Sequence, residues 1–157
     1  MKTAIFLFVF LIFFGIVKGY YRPQHPFPEG KIYVPLFINK TFKEDIEEII
    51  TQKVVDELLL ATGFKLTSEG KARFLLRGEI VKYVKEPVTN GEYKLTIGVR
   101  ILFLDIEEKR TIYSGDISES LFSSASQTEK EMVERISQTI GRKILNLILK
   151  EFEKNGS

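Results

Sequence analysis

Cysteine and tryptophan are absent from this 157-residue chain, and histidine occurs once, at His25. Without cysteine there is no disulfide framework, no zinc–thiolate site and no cysteine nucleophile, so packing alone must hold the fold. His25 sits between prolines and reads as a solvated loop side chain, not a catalytic base or metal ligand. An excess of charge is also missing. There are 23 basic and 21 acidic residues, and setting aside Lys2 and Lys18 of the apolar N-terminal segment leaves equal numbers. A nucleic-acid partner needs a net basic surface to neutralise phosphates, so none is expected.

The usual catalytic patterns are missing too. No glycine-rich strand-to-helix loop is available for a phosphate, and no serine elbow for a nucleophile. Of the carboxylate groupings, Asp105, Glu107 and Glu108 lie at a turn. Asp116 and Glu119, three apart on a strand, face opposite sides. Neither forms an acid/base dyad, so an enzyme is not expected, and neither is a cofactor or metal.

What the chain does have begins with Lys2 and an unbroken run of apolar residues and glycine from Ala4 to Val17, ended by Lys18. This is the order of a signal peptide. As a helix the run would span roughly 21 Å, short of the ~30 Å hydrocarbon layer. Residues 1–19 therefore read as a signal peptide cut before Tyr20, where Val17 and Gly19 supply modest side chains at the cleavage positions, or as an uncleaved anchor. Residues 20–30 follow as a proline-rich strap, in which Pro23, Pro26 and Pro28 favour extended backbone.

One domain is expected over residues 31–152, with a polar tail at 153–157. Lys31 to Phe37 has strand composition, but Pro35 cannot donate to a ladder, which places this strand at an edge or bulges it. Thr41 and Glu44 have the spacing of a capping box, so a helix is predicted from there, with Ile46, Ile49, Ile50, Val54, Leu58 and Ala61 as its apolar stripe and Gly63 as its stop. The same capping role accounts for Thr41 in Asn39-Lys40-Thr41, a match to a glycosylation sequon. From Arg73 to Lys85, Glu92 to Asp105 and Arg110 to Phe122 the apolar period falls to two. Tyr93, Leu95, Ile97, Val99, Ile101 and Phe103 define one face of the middle strand. Short linkers at Thr89-Asn90-Gly91 and Glu107-Glu108-Lys109 predict hairpins. Ser126 or Thr128, each with a glutamate three residues on, opens a last helix whose stripe runs from Met132 to Phe152. The expected fold is α+β, in the order β-α-β-β-β-α, with two amphipathic helices on one face of a four-stranded, mostly antiparallel sheet.

Basic residues mark the polar face and ends of that sheet: Arg77, Lys82, Lys85, Lys94 and Arg100, with Lys109 and Arg110 at the far hairpin. Solvation and edge protection explain such charges in part. An anion-binding surface is the functional alternative, with Lys82, Lys85, Lys94 and Arg100 as candidate contacts for lipid phosphates.

With these elements placed, the chain resembles the lipopolysaccharide-assembly lipoprotein family of the LptE type, the small subunit of an outer-membrane translocon. The likeness rests on Gly19-Tyr20 after the leader and on the block from Ile32 to Phe42, with its strand, proline and Phe37-Ile38-Asn39-Lys40-Thr41. Leu75 to Ile80 and Tyr93 to Ile97 support it. The resemblance implies a non-enzymatic plug seated in a large β-barrel partner (LptD-like), working with lipopolysaccharide on the periplasmic side of the outer membrane. Family members carry a lipid-bearing cysteine before the Gly-Tyr pair; here that position is Lys18, so thioether lipidation is chemically impossible. A free periplasmic carrier of lipids or anions is the second expectation.

Overall fold

The first strand breaks at its proline. In the computed structural model, which describes residues 28–123 and 126–155, strand β1 covers Glu29–Tyr33 and a two-residue strand β2 covers Ile38–Asn39. Both run parallel to the same neighbour, β4 (Phe74–Pro87), with Ile32 opposite Phe74 and Ile38 opposite Glu79. The stretch between them leaves the ladder around Pro35, which has no N–H to give it. Phe37 turns back into the core, 2% exposed, and its backbone N–H donates to Thr51 Oγ1 at 3.0 Å.

Helix α1 covers Ile46–Ala61, β3 Gly63–Leu66, β5 Tyr93–Asp105, β6 Arg110–Phe122 and helix α2 Glu129–Asn155. The sheet order is β3-β1-β4-β5-β6, with β2 beside β4. The sheet is thus mixed and open with six strands, where four mostly antiparallel ones were expected. β3 is the strand that sequence pattern missed. It is four residues long and pairs parallel with β1, so nothing local marks it. Gly63 opens β3 and is not a left-handed helix stop: a Cβ there would lie 2.8 Å from Glu29 Cβ, so glycine permits the close approach of β1 and β3. β1 is therefore an inner strand over its paired length.

The three long strands fall within two residues of their predicted bounds, joined by hairpins at the predicted linkers, where Gly91 and Lys109 take positive φ. A bulge at Val81, between Ile80 and Lys82, shifts the register of β4 against β5. One extra residue reverses the alternation beyond it. Before the bulge Phe74, Leu76 and Ile80 point at the helices; after it Tyr83, opposite Ile97, and Lys85, opposite Leu95, do so.

Both helices cover that one face. α1 buries Ile46, Ile50, Val54 and Leu58 at four-residue spacing, and α2 buries Met132, Val133, Ile136, Ile140, Ile144 and Ile148. They cross closely at Gly141, where a Cβ would stand 3.0 Å from the Lys53 carbonyl oxygen. Phe64, Phe74, Phe103 and Phe152 close one end of the core, with ring centroids 5.3–6.3 Å apart. Each such pair adds about 0.5–1.5 kcal/mol beyond area burial.

The two predicted helix starts differ in outcome. At α2 the capping box forms with Thr128: its N–H donates to Glu131 Oε2 at 2.8 Å, and the Glu131 N–H donates to Thr128 Oγ1 at 3.2 Å. At α1 it does not. The Thr41 hydroxyl donates instead to Asn39 Oδ1 at 2.8 Å, and the helix starts at Ile46 after Asp45, whose φ is 61° and whose side chain makes no capping bond. Residues 1–19 and most of the strap lie outside the described residues. The helix continues through Asn155, past the predicted start of the polar tail. No helix among the described residues is long and apolar enough to cross a membrane.

Candidate functional site on the uncovered sheet face

Helices cover one face of the sheet, and the register assigns the residues of the other. Across β4, β5 and β6, Arg77 stands opposite Leu102 and then Ser114; Glu79 opposite Arg100 and then Asp116; Lys82 opposite Gly98 and then Ser118; and Glu86 opposite Lys94 and then Phe122. Cross-strand partners share a face. The uncovered side is therefore a field of charged residues interrupted by small ones, with Thr96 and Ser120 joined by a 2.8 Å hydroxyl contact.

Most of the charge is paired. The Arg100 guanidinium donates to both Asp116 oxygens, at 2.9 and 3.3 Å, and lies 3.9 Å from Glu79. The hydrogen bonds to Asp116 hold its pKa above the ordinary value. Lys94 lies 3.6 Å from Glu86. Arg77 and Lys82 make no ion pair with any described residue.

Lys85 belongs elsewhere. The bulge turns it to the helix side, where its ammonium lies 2.9 Å from Glu129 Oε2 and 3.9 Å from the centre of the Tyr93 ring. Glu129 also takes Lys43 at 2.8 Å and the Tyr83 hydroxyl at 2.6 Å. Donation from Lys43, then Tyr83 and Lys85, lowers the Glu129 pKa to about 2. Burial first, and the bond to Glu129 second, raise that of Tyr83. This cluster ties the loop before α1, the end of β4 and the first turn of α2. Of the four candidate cations, Lys82, Lys94 and Arg100 thus share the uncovered face, and Lys85 does not.

A half-open cleft of about 520 Å³ lies on the uncovered side, where the broken β1–β2 segment passes β4 and β5. Tyr33, Leu36, Ile38 and Leu102 form its walls, and Arg77 and Glu69 are its unpaired charges. Leu36 and Ile38 are 55% and 54% exposed. Sequence reading passed over this cleft, although its signal was Pro35, which interrupts the strand and leaves neighbouring apolar side chains without a ladder to bury them. Asn39 fixes the far end of the segment, donating through Nδ2 to the Lys43 carbonyl at 2.6 Å and to Glu47 Oε2 at 3.0 Å, and accepting the Thr41 N–H at 2.9 Å.

The acidic turn at Asp105 has a structural explanation. Arg73 Nε and a terminal guanidinium nitrogen donate to Asp105 Oδ2 at 3.1 and 2.9 Å, and the Glu108 N–H donates to Oδ1 at 3.0 Å. Burial opposes ionisation of Asp105, but the Glu108 N–H and Arg73 outweigh it and hold its pKa below the ordinary value. No group of three or more His, Cys, Asp or Glu that could hold a metal lies among the described residues.

A single open, mixed sheet with both helices on one side defines an α+β fold class whose other sheet face is left charged and cleft-bearing. The chain belongs to the lipopolysaccharide-assembly family, LptE, whose model matches residues 30–148. The fold is also similar to that of a hypothetical protein of Chlamydia trachomatis, with TM-score 0.63 and 13% identity over 80% of this chain and 98% of that one. A protein of Xanthomonas campestris gives TM-score 0.65 and 10% identity over 86% and 92% of the two chains. The PelC dodecamer of Paraburkholderia phytofirmans gives 0.57 and 14% over 77% and 88%. No curated protein sequence matches the chain.

Proposed function

We propose that this chain is a non-enzymatic accessory subunit of lipopolysaccharide assembly, exported to the periplasmic side of the outer membrane, where it supports a large β-barrel partner. The observation that carries this reading is the family match over residues 30–148, which takes in nearly the whole described domain. The uncovered sheet face is the surface that meets the barrel and the lipid in transit. Helices already bury the opposite face. The exposed one presents Lys82 without an ion pair among the described residues, and Lys94 and Arg100 in solvent-exposed ion pairs for which an anionic group competes. Lys85 serves the fold.

Export through residues 1–19 brings the domain to its place, and with Lys18 in the cysteine position attachment relies on an uncut leader or on the partner. An intact mass beginning at Tyr20 marks cleavage; one beginning at Met1 marks an anchor. The direct test is co-purification of the full chain from an outer-membrane fraction across several salt concentrations. Recovery of a large β-barrel protein is expected. Recovery of the chain alone, with lipid bound, would replace this reading by that of a free lipid carrier.

A further inference from the structure

The cleft beside β2 differs from the ion-paired surface around it in holding charges without partners among the described residues. Its two guanidiniums, Arg77 and Arg100, are matched by two carboxylates, Glu69 and Glu79. Arg100 is committed to Asp116 and lies near Glu79. What remains for a ligand is one free cation and one free anion, Arg77 and Glu69, neither of which makes an ion pair with any described residue. The walls between and beyond them are apolar: Tyr33 and Leu102 inside, and Leu36 and Ile38 at the exposed rim.

We propose that this cleft binds a zwitterionic amphiphile, a phospholipid with a phosphoethanolamine headgroup. The planar fork of Arg77 suits the phosphodiester, which it can engage through two parallel N–H donors. Glu69 complements the ammonium. The first carbons of an acyl chain leave over Leu36 and Ile38, whose exposed apolar surface the chain would take out of water. The volume of about 520 Å³ lies within the ~300–1,000 Å³ of small-molecule sites, enough for the headgroup and the glycerol region but not for the whole lipid. A polyanionic headgroup fits less well, because a second phosphate would approach Glu69 or Glu79. Selectivity thus comes from the carboxylates as much as from the arginine. This assignment goes beyond the barrel partnership and does not need it.

Native mass spectrometry of the full chain in a maltoside detergent tests the assignment, with equimolar dihexanoyl phosphatidylethanolamine and dihexanoyl phosphatidylglycerol in competition. Matched chains cancel any general affinity of the apolar leader. The ethanolamine lipid is expected to exceed the glycerol lipid among bound adducts by about fivefold or more, a charge-assisted contact being sufficient for that ratio. Arg77→Gln should reduce both adducts by about tenfold. Glu69→Gln should remove the preference while leaving the glycerol lipid bound as before or better. Equal or greater binding of the glycerol lipid to the unaltered chain would overturn the proposal, as would an ethanolamine preference that survives Glu69→Gln. Full displacement of the lipid by equimolar O-phosphoethanolamine would overturn the role of the apolar walls. Failure of the barrel co-purification has no bearing on these ratios, so the two readings fail separately.

Discussion

The ring of Phe37 lies directly over Gly78, so close that a Cβ on Gly78 would overlap the ring carbons. Phe37 leaves the broken β1–β2 segment and covers the one position of β4 without a side chain, an aromatic filling the gap left by a strand glycine. Both residues fall in sequence blocks that carry the family resemblance, and their contact explains why an aromatic and a glycine are needed there together. Gly78→Ala should destabilise the domain by about 1–3 kcal/mol, the usual cost of overpacking a core. Chemical denaturation measures this. Adding Phe37→Leu to Gly78→Ala should recover part of the loss, since the two positions share one contact.

Glu129 makes stability depend on acid pH. Its carboxyl titrates at about 2 in the folded protein against an ordinary 4.5. A depressed carboxyl contributes stability that is fully present above the unfolded value and is lost as pH falls through the folded one. Glu129→Gln should therefore cost roughly 1–2 kcal/mol near neutrality after solvent screening, and the gap between variant and parent should close between pH 4.5 and pH 2. Urea midpoints taken across that range give the comparison. A gap independent of pH would show that the charge of Glu129 does not stabilise the fold.

Asp105 is 1% exposed and holds Arg73 from 32 positions away in sequence. Removing Asp105 takes the nearest partner of Arg73 and the acceptor of the Glu108 N–H, although Arg73 is partly exposed and keeps Glu107 at 3.7 Å and Glu108 at 3.4 Å, which softens the loss. Asp105→Ala should lower stability by about 2–4 kcal/mol, read as an earlier thermal unfolding midpoint. The turn Asp105-Ile106-Glu107-Glu108 should loosen with it, giving faster amide exchange at Glu108. Amide exchange at Glu108 unchanged from the parent would separate Asp105 from the turn.

The four candidate cations should separate into two kinds. Replacing Lys82, Lys94 and Arg100 together by glutamine should weaken binding of the full chain to lipopolysaccharide by roughly tenfold, with a smaller salt dependence, and leave the unfolding midpoint nearly unchanged. Lys85→Gln should do the reverse, lowering the midpoint through loss of the Glu129 contact while lipid binding persists. Binding and melting curves on the parent and these two variants decide the matter.

Much of the fold was legible because the three long strands are thirteen or fourteen residues each, with long stretches of alternation on either side of the bulges, and because the apolar stripes of both helices repeat over several turns. The misses have local causes. β3 has only four residues and owes its existence to parallel pairing with β1, a non-local contact that no periodicity reports. The start of α1 was misplaced because the Thr41 oxygen accepts the Lys43 N–H in a turn, and the chain passes through left-handed Asp45 before the helix begins at Ile46. Strict alternation through β4 would have turned Lys82 inward and Lys85 outward. The bulge at Val81 reverses this, and a single inserted residue leaves no clear mark in composition. Pro35 signalled the break in the first strand but not the lining of the cleft: Glu69 comes from the turn before β4 and Arg77 from within it, and only the path of the broken strand makes them neighbours of Leu36 and Ile38.

The central claim is that the uncovered sheet face meets the barrel. A photoreactive amino acid placed at Ser118, exposed on that face, and in a separate strain at Gln52, exposed on α1, reads this in living cells. The account predicts a crosslinked adduct of the mass of a large β-barrel protein from Ser118 and none from Gln52. An adduct from Gln52 with none from Ser118 would contradict it.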